Sequence, residues 1–88
     1  MRFKTGFVIS EIGGKTVAVS VGAGEGSYRG MVTLNSTGKF IWLLVEGGAD
    51  REKVYSELSC VYGIEYERAK ADADAFLDKL VSAGIIAD

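Results

Sequence analysis

Residues 30–47 read GMVTLNSTGKFIWLLVEG, and this stretch decides the fold of the chain. Its first part ends a short, apolar, proline-free segment, Tyr28 to Leu34, which predicts a strand. Asn35 is a residue type that caps helix N-termini. The run from Phe40 to Val45 is apolar on nearly every side, which predicts a central, buried helix that ends at a glycine pair, Gly47-Gly48. The stretch therefore predicts a strand that leads directly into the core helix.

The residues before this stretch predict two more strands. Phe7 to Ile12 alternates between two sets of side chains, and Gly13-Gly14 is a two-residue hairpin signal. Valines at alternate positions from Val17 to Val21 are typical of a half-buried antiparallel strand. The glycine-rich residues 22–27 then connect to the third strand.

The residues after the stretch predict two amphipathic helices, the first capped by Asp50 and the second beginning near Glu67. Gly63 and Gly84 lie where these helices should end. The expected apolar positions are Val54, Leu58, Val61 and Tyr62, then Ala69, Ala73, Phe76, Leu77 and Leu80. The order predicts one α+β domain over residues 1–88. It is like a winged helix-turn-helix, with an N-terminal three-stranded antiparallel sheet followed by a three-helix bundle.

The composition disfavours catalysis. The 88 residues include no histidine and one cysteine, which removes the commonest general base and makes a zinc site improbable. We therefore expect no catalytic residue, no metal and no cofactor. Cys60 is interpreted as buried and unreactive, and Trp42 and Tyr62 as core residues. Three aspartates of the last helix, Asp72, Asp74 and Asp78, are interpreted as a solvated acidic face.

Charge and hydropathy argue against two kinds of partner, nucleic acids and membranes. The formal net charge is −2, and no basic stripe of the kind that binds phosphates is visible, which makes nucleic acid an improbable partner. Phe40 to Val45 is the longest apolar run, too short to cross a bilayer, and no signal peptide is recognisable. We therefore expect a cytoplasmic protein with no membrane contact.

Residues 30–47 are similar to the core of the PqqD-like family, with its apolar strand, Leu-Asn, Ile-Trp, Leu-Leu and closing glycine. The resemblance runs from about Gly6 to Ile86. It implies a non-catalytic recognition element for ribosomally made, modified peptides. Such an element binds the leader of a precursor peptide as a strand added beside the third strand, against the third helix. It then presents the precursor to a radical SAM or other modifying enzyme, in pyrroloquinoline quinone synthesis or for another product.

The peptide-binding residues expected from this resemblance lie on the third strand and the third helix. They are Gly30, Met31, Val32, Thr33, Leu34, Lys70, Ala73, Asp74, Leu77 and Val81. Met31 and Thr33 are expected to point outward, and the acidic members suit a basic leader. Two alternatives stay open: a winged-helix nucleic-acid regulator, and a structural domain that forms a homodimer through the same edge strand.

Overall fold

The computed structural model describes residues 1–4, 6–21 and 30–87, and it confirms the predicted α+β architecture. Its elements are β1 (Arg2–Phe3), β2 (Phe7–Ile12), β3 (Lys15–Ser20), β4 (Met31–Leu34), α1 (Ser36–Glu46), α2 (Arg51–Tyr62), α3 (Tyr66–Ser82) and β5 (Ile86–Ala87). The glycine-rich residues 22–27, and the start of the predicted third strand at Tyr28 and Arg29, lie outside the described residues.

A three-stranded antiparallel sheet has the order β2-β3-β4, so β4 lies at one edge. The β2–β3 hairpin turns at Gly13 and Gly14, whose φ angles are 58° and 80°. Both values lie in the left-handed region, which a primed two-residue turn requires and glycine adopts without strain. The pairs Ile9↔Ala18 and Ala18↔Val32 fix the register on either side of β3.

The predicted caps position the helices. The Asn35 side chain accepts a hydrogen bond from the Gly38 N–H, and the Asp50 side chain accepts one from the Lys53 N–H. Each satisfies a backbone donor that the first turn of a helix leaves without a partner. Because Asn35 directly follows Leu34, the cap fixes the angle at which β4 enters α1.

A second, two-stranded sheet was not predicted from the sequence. β1 pairs antiparallel with β5, with Phe3 opposite Ile86. Ile85 and Ile86 are buried at 2% and 0% exposure, so the residues that follow α3 fold back onto the core.

Trp42 lies at the centre of the core. It is fully buried, as expected, and its ring lies 4.6 Å from that of Phe3 and 5.2 Å from that of Phe7. No described residue accepts a hydrogen bond from its indole Nε1. Trp42 therefore joins the N-terminal strands to α1 through ring packing alone.

Four sequence expectations about burial were wrong. Tyr62, Val61 and Leu43 are 43%, 59% and 48% exposed, and Cys60 is exposed too. Cys60 follows Leu58 by two positions, which is about 200° around a helix, so it points away from the core. Val61 and Tyr62 lie in the last turn of α2, and the Tyr62 ring lies 5.6 Å from that of Phe40. Val54 and Leu58 are buried as predicted, and Tyr55 is buried beside them.

Candidate functional site

The open edge of β4 is the first part of the candidate site. The Ser20 N–H donates to the Gly30 carbonyl, which lies opposite it in the register. Bonded and non-bonded pairs alternate along an antiparallel ladder. Val32 is therefore bonded to β3, whereas the backbone N–H and C=O of Thr33 point away from β3, and no described strand lies on that side.

The side chains of β4 divide between two faces. Leu34 is 4% exposed and Val32 packs against the core. Met31 is 59% exposed and Thr33 is also exposed. Gly30, directly before the strand, has a φ of 131°, a conformation that side-chain-bearing residues rarely adopt. The edge thus offers backbone groups and two outward side chains to a second strand.

A pocket of about 370 Å³ is the second part of the site, and it begins where β4 passes into α1. Gly38 brings α1 against α3: a Cβ at this position would lie 3.2 Å from Phe76 Cε1. Phe76 is thereby held beside the pocket with part of its ring accessible. The lining residues are Asn35, Thr37, Gly38, Ile41, Asp72, Ala75, Phe76 and Lys79.

Another pocket, of about 420 Å³, lies at the opposite end of α1, where the lining includes Leu43, Ala49 and Lys53. Its lining begins at Leu43, well beyond the end of β4, whereas the lining of the pocket beside Phe76 begins at Asn35, the residue that directly follows β4. The pocket beside Phe76 is the one that continues from the edge of β4.

The expected α3 residues do not line the pocket. Ala73 and Leu77 are fully buried, which leaves them no surface to offer a ligand. Lys70 is exposed, Val81 is half-buried against the core, and Asp74 bonds to α2. Lys70 and Lys79 are nine positions apart, which is about 180° around a helix. The pocket thus lies on the α3 flank that carries Phe76 and Lys79, opposite the flank that carries Lys70.

Asp74 belongs to a cluster that joins α2 to α3. Arg51 donates from Nη1 to Asp74 at 2.8 Å and from Nη2 to Asp78 at 3.0 Å, and the Tyr55 hydroxyl also donates to Asp74. The hydrogen bond from Tyr55 and the nearby Arg51 guanidinium hold the pKa of Asp74 below its usual range. Burial, with the bond to Asp74, raises the pKa of Tyr55. The expectation of a fully solvated acidic face was therefore wrong for Asp74.

The charged residues of the pocket are instead Asp72 and Lys79. Sequence reasoning did not select Ala75, Phe76 or Lys79 as contacts, although Phe76 and Lys79 are spaced as neighbours on one helix flank. That spacing was a usable signal.

The described residues contain neither a cluster of metal ligands nor a membrane-spanning helix. No group of three or more His, Cys, Asp or Glu side chains there is arranged to hold a metal ion. None of the helices described is both long and apolar enough to cross a membrane.

Comparison with known proteins links this geometry to a family. The sequence profile described as "Coenzyme PQQ synthesis protein D (PqqD)" matches residues 12–86. Among solved structures, the chain is similar to that described as "TbiB1 in Complex with the TbiA(beta) Leader Peptide". The TM-score is 0.76 and the identity 22%, and the match covers 100% of both chains. No curated protein matches the sequence.

Proposed function

Because the chain belongs to the PqqD family, we propose that it is a peptide recognition element: it binds the leader of a ribosomally made precursor peptide and presents the precursor to a separate modifying enzyme. The observation that carries the proposal is the open edge of β4 leading into the pocket beside Phe76. The similar structure, TbiB1, is in complex with a leader peptide.

The edge supplies sequence-independent affinity. A peptide that adds as a strand beside β4 pairs its backbone with the outward N–H and C=O of Thr33. β4 lacks proline and charge, two devices that protect edge strands from pairing. Met31 and Thr33 then stand next to the side chains on one face of the peptide.

The pocket supplies selectivity. A side chain from the opposite face of an added strand points toward the helices, because successive side chains of a strand alternate. Partly accessible Phe76 and exposed Ala75 provide an apolar surface there. We propose that this flank of α3 forms the groove, in place of the flank that carries Lys70 and Asp74.

The modifying step is assigned to a separate enzyme. The sequence contains no histidine, the side chain that most often serves as a general base. We propose a radical SAM or other maturase as the partner, in a cytoplasmic pathway to pyrroloquinoline quinone or another modified peptide.

The test is leader binding by isothermal titration, using the N-terminal segment of the short precursor encoded beside the gene. We expect a dissociation constant tighter than about 100 μM, or roughly 5.5 kcal/mol. Thr33→Pro removes the outward N–H and should weaken binding about tenfold or more, whereas Thr33→Ala keeps that N–H and serves as the matched control.

Val32→Pro is a less selective variant, since the Val32 N–H points to β3 and its loss disturbs the sheet itself. If no leader binds and sedimentation shows a dimer that Thr33→Pro dissociates, the edge serves self-association instead.

A further inference from the structure

The geometry points to Lys79 as a specificity-determining residue that selects an acidic side chain in the bound peptide, two positions from an apolar side chain over Phe76. The inference rests on the proposed function and names the chemistry of the peptide that the groove accepts. It reverses the charge preference that the sequence alone suggested.

The positive charge of Lys79 is available to a ligand. In the part of the chain that the structure describes, Lys79 has no ion-pair partner within 4 Å, whereas Lys53 lies 2.9 Å from Glu57. The other charged residue of the pocket, Asp72, lies 3.8 Å from Arg68 Nε. The Lys79 end of the pocket is therefore its positive end.

Asp74, the acidic residue that favoured a basic leader, already has hydrogen-bond partners within the protein. Asp74 accepts hydrogen bonds from Arg51 and Tyr55 and lies on the flank of α3 that faces α2. Its charge is compensated inside the protein and points away from the pocket. Lys79 lines the pocket and has no ion-pair partner among the described residues, so its charge sets the preference.

The spacing of Phe76 and Lys79 matches that of an extended peptide. Residues three apart on a helix have Cβ atoms about 5–6 Å apart. Residues two apart in a strand lie on one face, about 6.8 Å apart. We infer that the bound peptide runs along this flank of α3, so that a peptide with an apolar side chain over Phe76 brings a same-face residue two positions away to the Lys79 ammonium. An acidic residue there gains a partner, and a basic one is repelled.

A structural role for Lys79 needs separate control, since a cation in the last turn of a helix also interacts with the helix dipole. Lys79→Gln removes the charge with little change in size. Lys70→Glu is the matched reversal on the opposite flank of the same helix. Thermal melting of each variant shows whether an effect on binding reflects a loss of folding.

The experiment is selection from a displayed library of random 12-residue peptides, which requires no knowledge of the natural leader. The wild-type protein, Lys79→Glu and Lys70→Glu are panned in parallel, with Thr33→Pro as the control for edge binding. We expect the wild type and Lys70→Glu to enrich an apolar residue and an acid separated by one position. We expect Lys79→Glu to lose the acid or exchange it for Lys or Arg.

Synthetic peptides then measure the effect. Exchanging the acid for lysine should weaken binding to the wild type about two- to fivefold, as for an exposed ion pair. The same exchange should strengthen binding to Lys79→Glu and should leave the affinity of Lys79→Gln for the peptide unchanged. The association rate and its salt dependence should carry most of the difference.

The two possible failures are distinguishable. If the wild type and Lys79→Glu enrich the same peptides, both above the Thr33→Pro background, the role of Lys79 is refuted while edge binding stands. If no peptide is enriched over Thr33→Pro, peptide binding itself is refuted, and the inference falls with it.

Discussion

Replacing Trp42 with alanine tests whether one residue ties the N-terminal strands to α1. The side chain is fully buried and its ring contacts the rings of Phe3 and Phe7 at 4.6 and 5.2 Å. Deleting a buried aromatic ring costs about 3–5 kcal/mol through lost transfer free energy and the cavity left behind.

This loss is large compared with the whole stability of the domain. A chain of 88 residues is expected to have a free energy of unfolding of about 4–13 kcal/mol. Trp42→Ala should therefore lower the melting temperature by about 15 °C or more. Trp42→Phe keeps an apolar ring and removes the Nε1 donor that has no described acceptor, so its loss should be less than half that of alanine.

Urea and thermal unfolding followed by far-UV circular dichroism measure both variants, since the substitutions remove the chain's single tryptophan as a fluorescent probe. A loss below about 1 kcal/mol for Trp42→Ala would refute the assignment, because surface substitutions typically stay within such a range. Equal losses for alanine and phenylalanine would show that the ring contacts contribute little.

Three further predictions follow from the charges and the composition. The pKa of Asp74 is lowered in the folded protein, so the Asp74 carboxylate stabilises the fold above its unfolded pKa of about 3.9, and this stability is lost as the pH falls through the folded pKa. Asp74→Asn should therefore reduce the dependence of the free energy of unfolding on pH in the acid range. An unchanged dependence would contradict the pairing with Tyr55 and Arg51. Duplex DNA should not bind at sub-micromolar concentration in about 150 mM salt, as fluorescence anisotropy can establish; tighter binding would favour a winged-helix regulator. Inductively coupled plasma mass spectrometry should detect no stoichiometric zinc or iron in the purified protein, since the sequence lacks histidine. A one-to-one metal content would contradict the expectation that the chain holds no metal.

Features of the fold that depend only on residues close in sequence could be predicted. Asn35, Asp50 and the glycine pair at 13–14 act within a few positions of themselves, so residue type alone indicated the caps and the hairpin. The β1–β5 pair could not be predicted, because a strand of two residues shows no periodicity.

The core-facing side of the sheet also depends on tertiary contacts. Ala18 is fully buried within the main core cluster, whereas Val17, on the other face of β3, is 5% exposed but lies outside that cluster. Hydrophobicity alone favours the valines, but alternation puts Ala18 on the face toward the helices. A small side chain there allows the layers to approach closely.

The site was predicted in part for the same reason. The edge strand and its outward Thr33 follow from local pattern, and the helical period of α3 gave its buried stripe of Ala73, Leu77 and Leu80. The period does not tell which flank of that stripe lies beside the strand. Contacts distant in sequence decide it, such as that of Arg51 with Asp74 on one flank and that of Gly38 with Phe76 on the other.

Amide hydrogen exchange at Thr33 tests strand addition most directly. The Thr33 N–H points to the open edge, while the Val32 N–H is already within the β3–β4 ladder. At a saturating concentration of a leader or library-selected peptide, exchange at Thr33 should slow at least about tenfold, as a new backbone hydrogen bond requires, with Val32 changed far less. Unchanged exchange at Thr33 in the fully bound protein would contradict peptide binding at the edge of β4.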